Sequence, residues 1–112
     1  MTRFFIDYQT EMDFNPDKFF KTTLFQSERI MLGLNCFKPG QNQKIHDHTD
    51  QDKLYLVLEG EGSFTVGEES RIATAGMIVW APAGVPHGVI NLSSQELVVF
   101  MGIASFPGSQ HS

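Results

Sequence analysis

Three of the four histidines in this chain lie in two short segments whose residue types suit a metal ion. His46 and His48 are two positions apart, and residues at i and i+2 of a β-strand point to the same face. Two imidazoles about 7 Å apart along a strand can converge on one ion. His87 lies in the second segment, among glycines and prolines that are typical of tight turns. A histidine held there would complete a three-nitrogen site with the first pair.

The same residues have a second interpretation. Two histidines at this spacing also occur on the exposed face of an edge strand, and a lone His87 can be a buried structural residue. The neighbouring acids Asp47, Asp50 and Asp52 can be solvated loop charges. Spacing alone leaves both interpretations open.

Both segments resemble the two signature motifs of the cupin superfamily, in the same order. The first motif has Gly, five residues, His-x-His, then Glu and a final Gly, and the matching residues are Gly40, His46, His48 and Gly60. The second motif has Gly, Pro-x-Gly, His and Asn, and the matching residues are Gly76, Pro82, Gly84, His87 and Asn91.

The resemblance implies a small single-domain cupin of the cupin 2 type. Its fold would be all-β, a double-stranded β-helix or jelly-roll-like barrel of about six to eight strands, with a metal ion in the barrel mouth. By position, His46, His48 and His87 would be the metal ligands. Structural roles are implied for Asn91, Pro82 and the turn glycines Gly60, Gly76 and Gly84.

The chain departs from the motif where the family places its ligand Glu, because Lys53 occupies that position. Asp52 would face the opposite side of a regular strand, and Gln51 has the right parity but is a weak ligand. Both are less favoured ligands, so the implied set is three histidines plus water. Three neutral imidazoles leave the full charge on a divalent ion, which then attracts anions and acidifies bound water.

Lys53 and Tyr55 share parity and are the candidate catalytic residues. A lysine facing the metal would oppose metal binding and favour a carboxylate or enolate ligand. Alternatively, its ammonium extends to solvent or pairs with Asp52. Tyr55 would line the pocket or belong to the core.

The elements that must position these side chains are short apolar stretches separated by turn residues. Glycine turns at this spacing are typical of an antiparallel sandwich or barrel, and 112 residues suffice for one domain. We predict a barrel over residues 18–106, an N-terminal arm over residues 1–17 and a tail over residues 107–112. One helical turn is expected with Asn15 as its N-cap, and Trp80 is expected in the core.

The arm is rich in phenylalanine, since six of the ten lie in the first 25 residues. These rings either pack on the outer face of the barrel or form a subunit interface, and the two roles are compatible. An exposed Phe4–Phe5 pair on a monomer would favour aggregation. We therefore predict a homodimer with the arm in its interface.

Charge and cysteine content exclude several kinds of partner. A net charge of −5 without a basic patch argues against nucleic acid, and the apolar run at residues 97–104 is far shorter than a membrane helix of about 20 residues. The basic residues, seven of eight within the first 53 positions, are expected as solvated charge. One cysteine, Cys36, and no secretory signal predict a soluble, cytoplasmic protein.

The sequence thus predicts a cupin barrel that binds one divalent transition metal, Zn, Fe, Ni, Mn or Cu, together with a small polar or anionic molecule. If the protein is an enzyme, the resemblance implies a dioxygenase or, next, an isomerase acting by proton transfer. A non-catalytic ligand-binding or metal-sensing module is the alternative, and a barrel with a vestigial site is another.

Overall fold

The computed structural model describes residues 3–47 and 49–105 of the chain. The predicted tail, residues 107–112, and the candidate ligand His48 lie outside these residues. Nine β-strands make up most of the described part: β1 Phe20–Gln26, β2 Ile30–Phe37, β3 Asn42–His46, β4 Asp52–Glu59, β5 Glu61–Val66, β6 Glu69–Thr74, β7 Ile78–Ala81, β8 His87–Ile90 and β9 Leu97–Ala104.

The strands form two sheets in which every pair is antiparallel. The five-stranded sheet has the order β1-β2-β9-β4-β7, and the four-stranded sheet has the order β3-β8-β5-β6. Strands distant in sequence are neighbours in both sheets, as in a jelly roll. The predicted all-β, double-stranded β-helix fold is therefore confirmed, with one strand beyond the expected range.

The main core lies between the two sheets and is built by alternation along each strand. In β4, Lys53, Tyr55 and Val57 are buried while the residues between them are more exposed, which confirms that Lys53 and Tyr55 share a face. The buried residues of this core come from both sheets: Phe37, Tyr55, Val57, Phe64, Ala73, Ala81, Val89, Leu97, Val99 and Met101.

A second cluster lies on the outer face of the five-stranded sheet. Tyr8, Met12 and Phe14 of the arm pack with β1 side chains against buried Leu34, Cys36 and Val98. Because this cluster covers one face of β2 and the core covers the other, the last five residues of β2 are all buried. Part of the arm thus packs on the barrel of its own chain.

The expected helical turn at Asn15 is wrong. The side chain of Asn15 accepts a hydrogen bond from the Asp17 amide in a bend. Within the described residues, the one short 3-10 helix is Tyr8–Thr10. The Asp7 carboxylate caps it by accepting a hydrogen bond from the Gln9 amide. Asn and Asp favour such caps and turns about equally, so the residue type alone does not decide whether the helical turn forms after Asp7 or after Asn15.

Trp80 also differs from expectation, since it is 54% exposed instead of buried. β7 is an edge strand, and alternation turns Val79 and Ala81 inward and Ile78 and Trp80 outward. An apolar run does not reveal which of its faces is covered. No helix among the described residues is long and apolar enough to cross a bilayer.

Candidate metal centre and ligand cavity

A cavity of about 450 Å³ lies inside the barrel. Its wall is formed by the edge strands β1 and β3 together with β2, β4 and β9, so both sheets contribute side chains. The volume falls within the range of small-molecule sites, about 300–1,000 Å³. The cavity is therefore large enough for a small organic ligand.

His46 and His87 meet beside this cavity. His46 is the last residue of β3, His87 is the first residue of β8, and the two are direct cross-strand partners. Their ring centroids are 4.5 Å apart, with an angle of 59° between the planes. A bound imidazole places its ring centre about 3 Å from a metal ion, so rings at this separation can share one ion.

An irregularity in β3 makes this pairing possible. The register of β3 against β8 shifts between Gln43 and His46, so both residues line the cavity although they are three positions apart. Gly88 accommodates the shift, because a Cβ there would lie 2.9 Å from the Gln43 carbonyl oxygen and from the Ile45 amide nitrogen. Sequence reasoning missed Gly88, although a glycine inside a strand often marks such a close approach.

Backbone carbonyls select the tautomer of both histidines. Nδ1 of His46 donates to the Lys44 carbonyl at 2.9 Å, and Nδ1 of His87 donates to the Val85 carbonyl at 3.0 Å. A carbonyl oxygen only accepts, so Nδ1 carries the hydrogen and Nε2 carries the lone pair of each neutral ring. Metal-ligating histidines are normally held in this way. The two residues therefore fit a metal ion that takes nitrogen ligands.

The third nitrogen, His48, lies outside the described residues, so its role stays a prediction. Within residues 3–47 and 49–105, no three His, Cys, Asp or Glu side chains form a group that could hold a metal ion. The Asp52 carboxylate accepts a hydrogen bond from the Ala83 amide at 2.9 Å and so holds the loop before β8. Gln51 is half-buried directly before β4.

Lys53 is buried at the cavity wall. Its side chain lines the cavity, only 3% of the residue is exposed, and Nζ lies 5.0 Å from the centre of the Tyr55 ring. Burial, and secondarily the charge of Lys21, lowers the pKa of Lys53 to about 8. The alternatives in which Lys53 extends to solvent or pairs with Asp52 are wrong, since the fold buries the side chain and the Asp52 carboxylate faces the loop.

Tyr55 belongs to the core beneath this wall. Its hydroxyl donates to Oε1 of Gln43 at 3.1 Å, and burial raises the pKa of the phenol above its ordinary value of 10.0. Gln43 lines the cavity, whereas Tyr55 is fully buried. The structure therefore places Tyr55 where it positions Gln43.

Sequence reasoning also missed Lys21. The expectation that the basic residues are solvated charge is wrong for the buried Lys53, whereas Lys21 is exposed as expected and also lines the cavity. Its cross-strand partner Asn35 is buried and also lines the cavity. The alternation of β1 carried a signal, because Lys21 and Thr23 lie on the face opposite to Phe20 and Leu24, which pack in the second cluster.

Asn91 and the turn glycines hold the ends of the strands. The Asn91 side chain donates to the carbonyls of Phe37 and Gln95 and accepts from the Ser93 amide. The turn glycines all have positive φ, as tight turns require: Gly60 79°, Gly76 94° and Gly84 82°. These residues act on the frame around the cavity.

Known proteins resemble this chain in sequence and in structure. The protein TT1209 from Thermus thermophilus has a crystal structure that matches with a TM-score of 0.88 and 42% identity, covering 92% of this chain and 98% of that chain. The uncharacterized protein SCO3923 of Streptomyces coelicolor is 37% identical over 79 residues, which are 68% of this chain and 74% of that protein.

An enzyme is also among the relatives. The H2HPP isomerase of Bacillus subtilis is 38% identical over 66 residues, which are 58% of this chain but only 28% of the isomerase. The family model of the cupin domain matches residues 33–103, well over half of the chain. This match spans both histidine segments, all of strands β3 to β8 and most of β2 and β9. The chain belongs to the cupin family.

Proposed function

We propose that this protein binds one divalent transition metal through His46, His48 and His87 and uses it on a small molecule held in the barrel cavity. The observation that carries the proposal is the His46–His87 pair, with both rings in the Nε2 lone-pair tautomer beside a cavity of ligand size. When bound, a divalent ion would polarise an oxygen atom of the ligand. The metal is Zn, Fe, Ni, Mn or Cu, and the compartment is the cytoplasm.

The reaction we propose is isomerisation by proton transfer, with dioxygenation as the other enzymatic candidate. The relative named as an isomerase supports the first choice. In this chain, Lys53 would orient an anionic ligand, while Tyr55 holds Gln43 in the wall through its hydrogen bond. The backbone carbonyls of Lys44 and Val85 hold the imidazole rings, so the site is organised before a ligand enters.

Metal content tests the first part of this proposal. Protein purified without a histidine tag should contain one transition-metal ion per chain by mass spectrometry of the elements. The double variant His46→Ala/His48→Ala and the single variant His87→Ala should lose the metal while circular dichroism shows an intact fold. His111, the fourth histidine, supplies the matched control His111→Ala, which should retain the metal. Full metal content in the double variant would refute the proposed ligands.

A non-catalytic binding or sensing module is the second candidate. Its support is that, within the described residues, no Asp or Glu lines the cavity to act as a general base. Turnover separates the two candidates. Oxygen consumption, and proton exchange into deuterated solvent, should be measured with 1,3-dicarbonyls, thiols and hydroxy acids. Stoichiometric binding without either signal would assign the binding module, whereas loss of both metal and ligand binding would indicate a vestigial site.

We further propose that the protein is a homodimer with its N-terminal arm in the interface. Phe4 and Phe5 support this, because they are 78% and 92% exposed in the single chain. Adjacent exposed phenylalanines are rare on monomeric surfaces and common at interfaces. Light scattering at micromolar concentration should give twice the mass of the 12.6 kDa chain.

A further inference from the structure

Lys53 places an ammonium group inside the protein without a carboxylate beside it. The ion pairs among the described residues are Arg3–Glu11 and Arg71–Glu69, and both lie away from the cavity. Only 3% of Lys53 is exposed, and its side chain lines the cavity. Because burying an isolated charge is unfavourable, buried lysines are normally paired. The missing partner points to an anionic ligand.

The cavity is cationic although the chain is anionic. The chain has 13 acidic residues and a net charge of −5, but within its described part Lys21 and Lys53 line the cavity and no Asp or Glu does. The other polar residues of the wall are Thr22, Thr23, Asn35, Gln43 and His46. This local reversal of charge would attract anions and repel cationic ligands.

The rest of the wall is apolar and adjoins Lys53. Met31, Ile103 and Lys53 are cross-strand neighbours in one row, and Met101 also lines the cavity. The wall is built of paired strands, whereas phosphate sites typically use helix N-termini or successive unpaired backbone amides. A ligand matching this wall carries a carboxylate at one end and a hydrocarbon group beside it.

We propose that the cavity binds a small organic acid whose carboxylate lies against Lys53, with Lys21 at the rim as a second cation. Met31, Met101 and Ile103 would contact its hydrocarbon part. This inference rests on the proposed function only in that the ligand enters this cavity. Binding of the carboxylate to Lys53 does not require the metal, so it can be measured on protein from which the metal has been removed.

The test compares carboxylates with their neutral amides on metal-free protein. Ligand-detected NMR titrations would use three matched pairs, benzoate with benzamide, malonate with malonamide and propionate with propionamide, and inorganic phosphate as a separate anion. At least one carboxylate should bind about tenfold more tightly than its amide, as a charge-assisted hydrogen bond predicts. If no carboxylate exceeds its amide, or if phosphate binds more tightly than every carboxylate, the inference is wrong.

Variants locate the binding. Lys53→Met and Lys53→Gln should each lose about tenfold or more in carboxylate affinity, whereas Lys21→Met should lose less because Lys21 is exposed. Lys18 is exposed before β1 and lies outside the cavity lining, so Lys18→Met is the matched control and should bind like wild type. Unchanged affinity in both Lys53 variants, with folding checked by circular dichroism, would overturn the proposal.

Metal content distinguishes this inference from the proposed function. Stoichiometric metal without a preference for carboxylates would overturn the carboxylate subsite and leave the metal centre standing. Carboxylate binding that depends on Lys53, in a protein that contains no metal when it is purified, would support the subsite and count against the proposed metal centre.

Discussion

Replacing Lys53 by methionine should stabilise the metal-free protein at neutral pH. Methionine keeps a long, unbranched apolar side chain and removes a charge that the fold buries beside the cavity. Carboxylate ligands must be absent from the buffer, because an anion bound to Lys53 would offset the cost of the charge. The variant therefore tests whether the protein tolerates this buried cation at the expense of stability.

The magnitude follows from the pKa of Lys53. Burial first, and the charge of Lys21 second, lowers this pKa from 10.5 to about 8. One pKa unit corresponds to about 1.4 kcal/mol, so the folded protein holds the ammonium about 3 kcal/mol less favourably than the unfolded chain does. We expect Lys53→Met to raise the free energy of unfolding by about that amount at pH 7.

The pH dependence has a defined sign. Below about pH 8, Lys53 is protonated in both states and the full cost is present. Between about pH 8 and 10.5 the folded protein releases the proton while the unfolded chain keeps it, so wild-type stability rises relative to the variant. The advantage of Lys53→Met should fall to about 1 kcal/mol at pH 10.

Urea unfolding in the presence of a chelator measures these differences, with the fluorescence of Trp80 as the signal. Lys21→Met is the matched control, since this lysine lines the same cavity but is exposed, and its effect should stay within about 0.5 kcal/mol. A Lys53→Met protein no more stable than wild type at pH 7, or an advantage that does not change up to pH 10, would refute the reasoning.

Three further predictions concern the metal, the strand register and the assembly. Lys53→Glu should bind metal at least about tenfold more tightly than wild type in competition with a chromophoric chelator, because an anion replaces a cation beside the proposed ion. Lys53→Met should gain less, since it only removes the cation. Equal metal affinities of Lys53→Glu and wild type would contradict this prediction. Gly88→Ala should cost about 1–3 kcal/mol in urea unfolding, since its Cβ would lie 2.9 Å from backbone atoms of β3. Gly40→Ala is the comparison, because a Cβ there meets no atom within 4 Å and any loss of stability reflects the positive φ alone. Phe4→Asp with Phe5→Asp should convert a dimer to a monomer by light scattering, and a monomeric wild type would refute the interface.

Much of this protein follows from local patterns in its sequence. The alternation of β4 is enough to place Lys53 and Tyr55 on one face, because successive side chains of a strand point to opposite sides. Turn glycines and short apolar runs predict the antiparallel barrel, because each of these signals depends only on a few neighbouring residues. The spacing of His46 and His87 within their motifs identifies the segments that meet, and in the fold the two are cross-strand partners.

Other features depend on contacts between distant segments, and only the tertiary structure decided them. The irregularity of β3 requires the close approach of Gly88 on another strand, and Lys21 reaches the cavity through the pairing of β1 with β2. Trp80 is exposed because nothing among the described residues covers the outer face of β7, whereas Cys36 is buried because the arm packs over its strand. Alternation determines which side chains share a face, but whether that face is covered depends on what the rest of the chain packs against it.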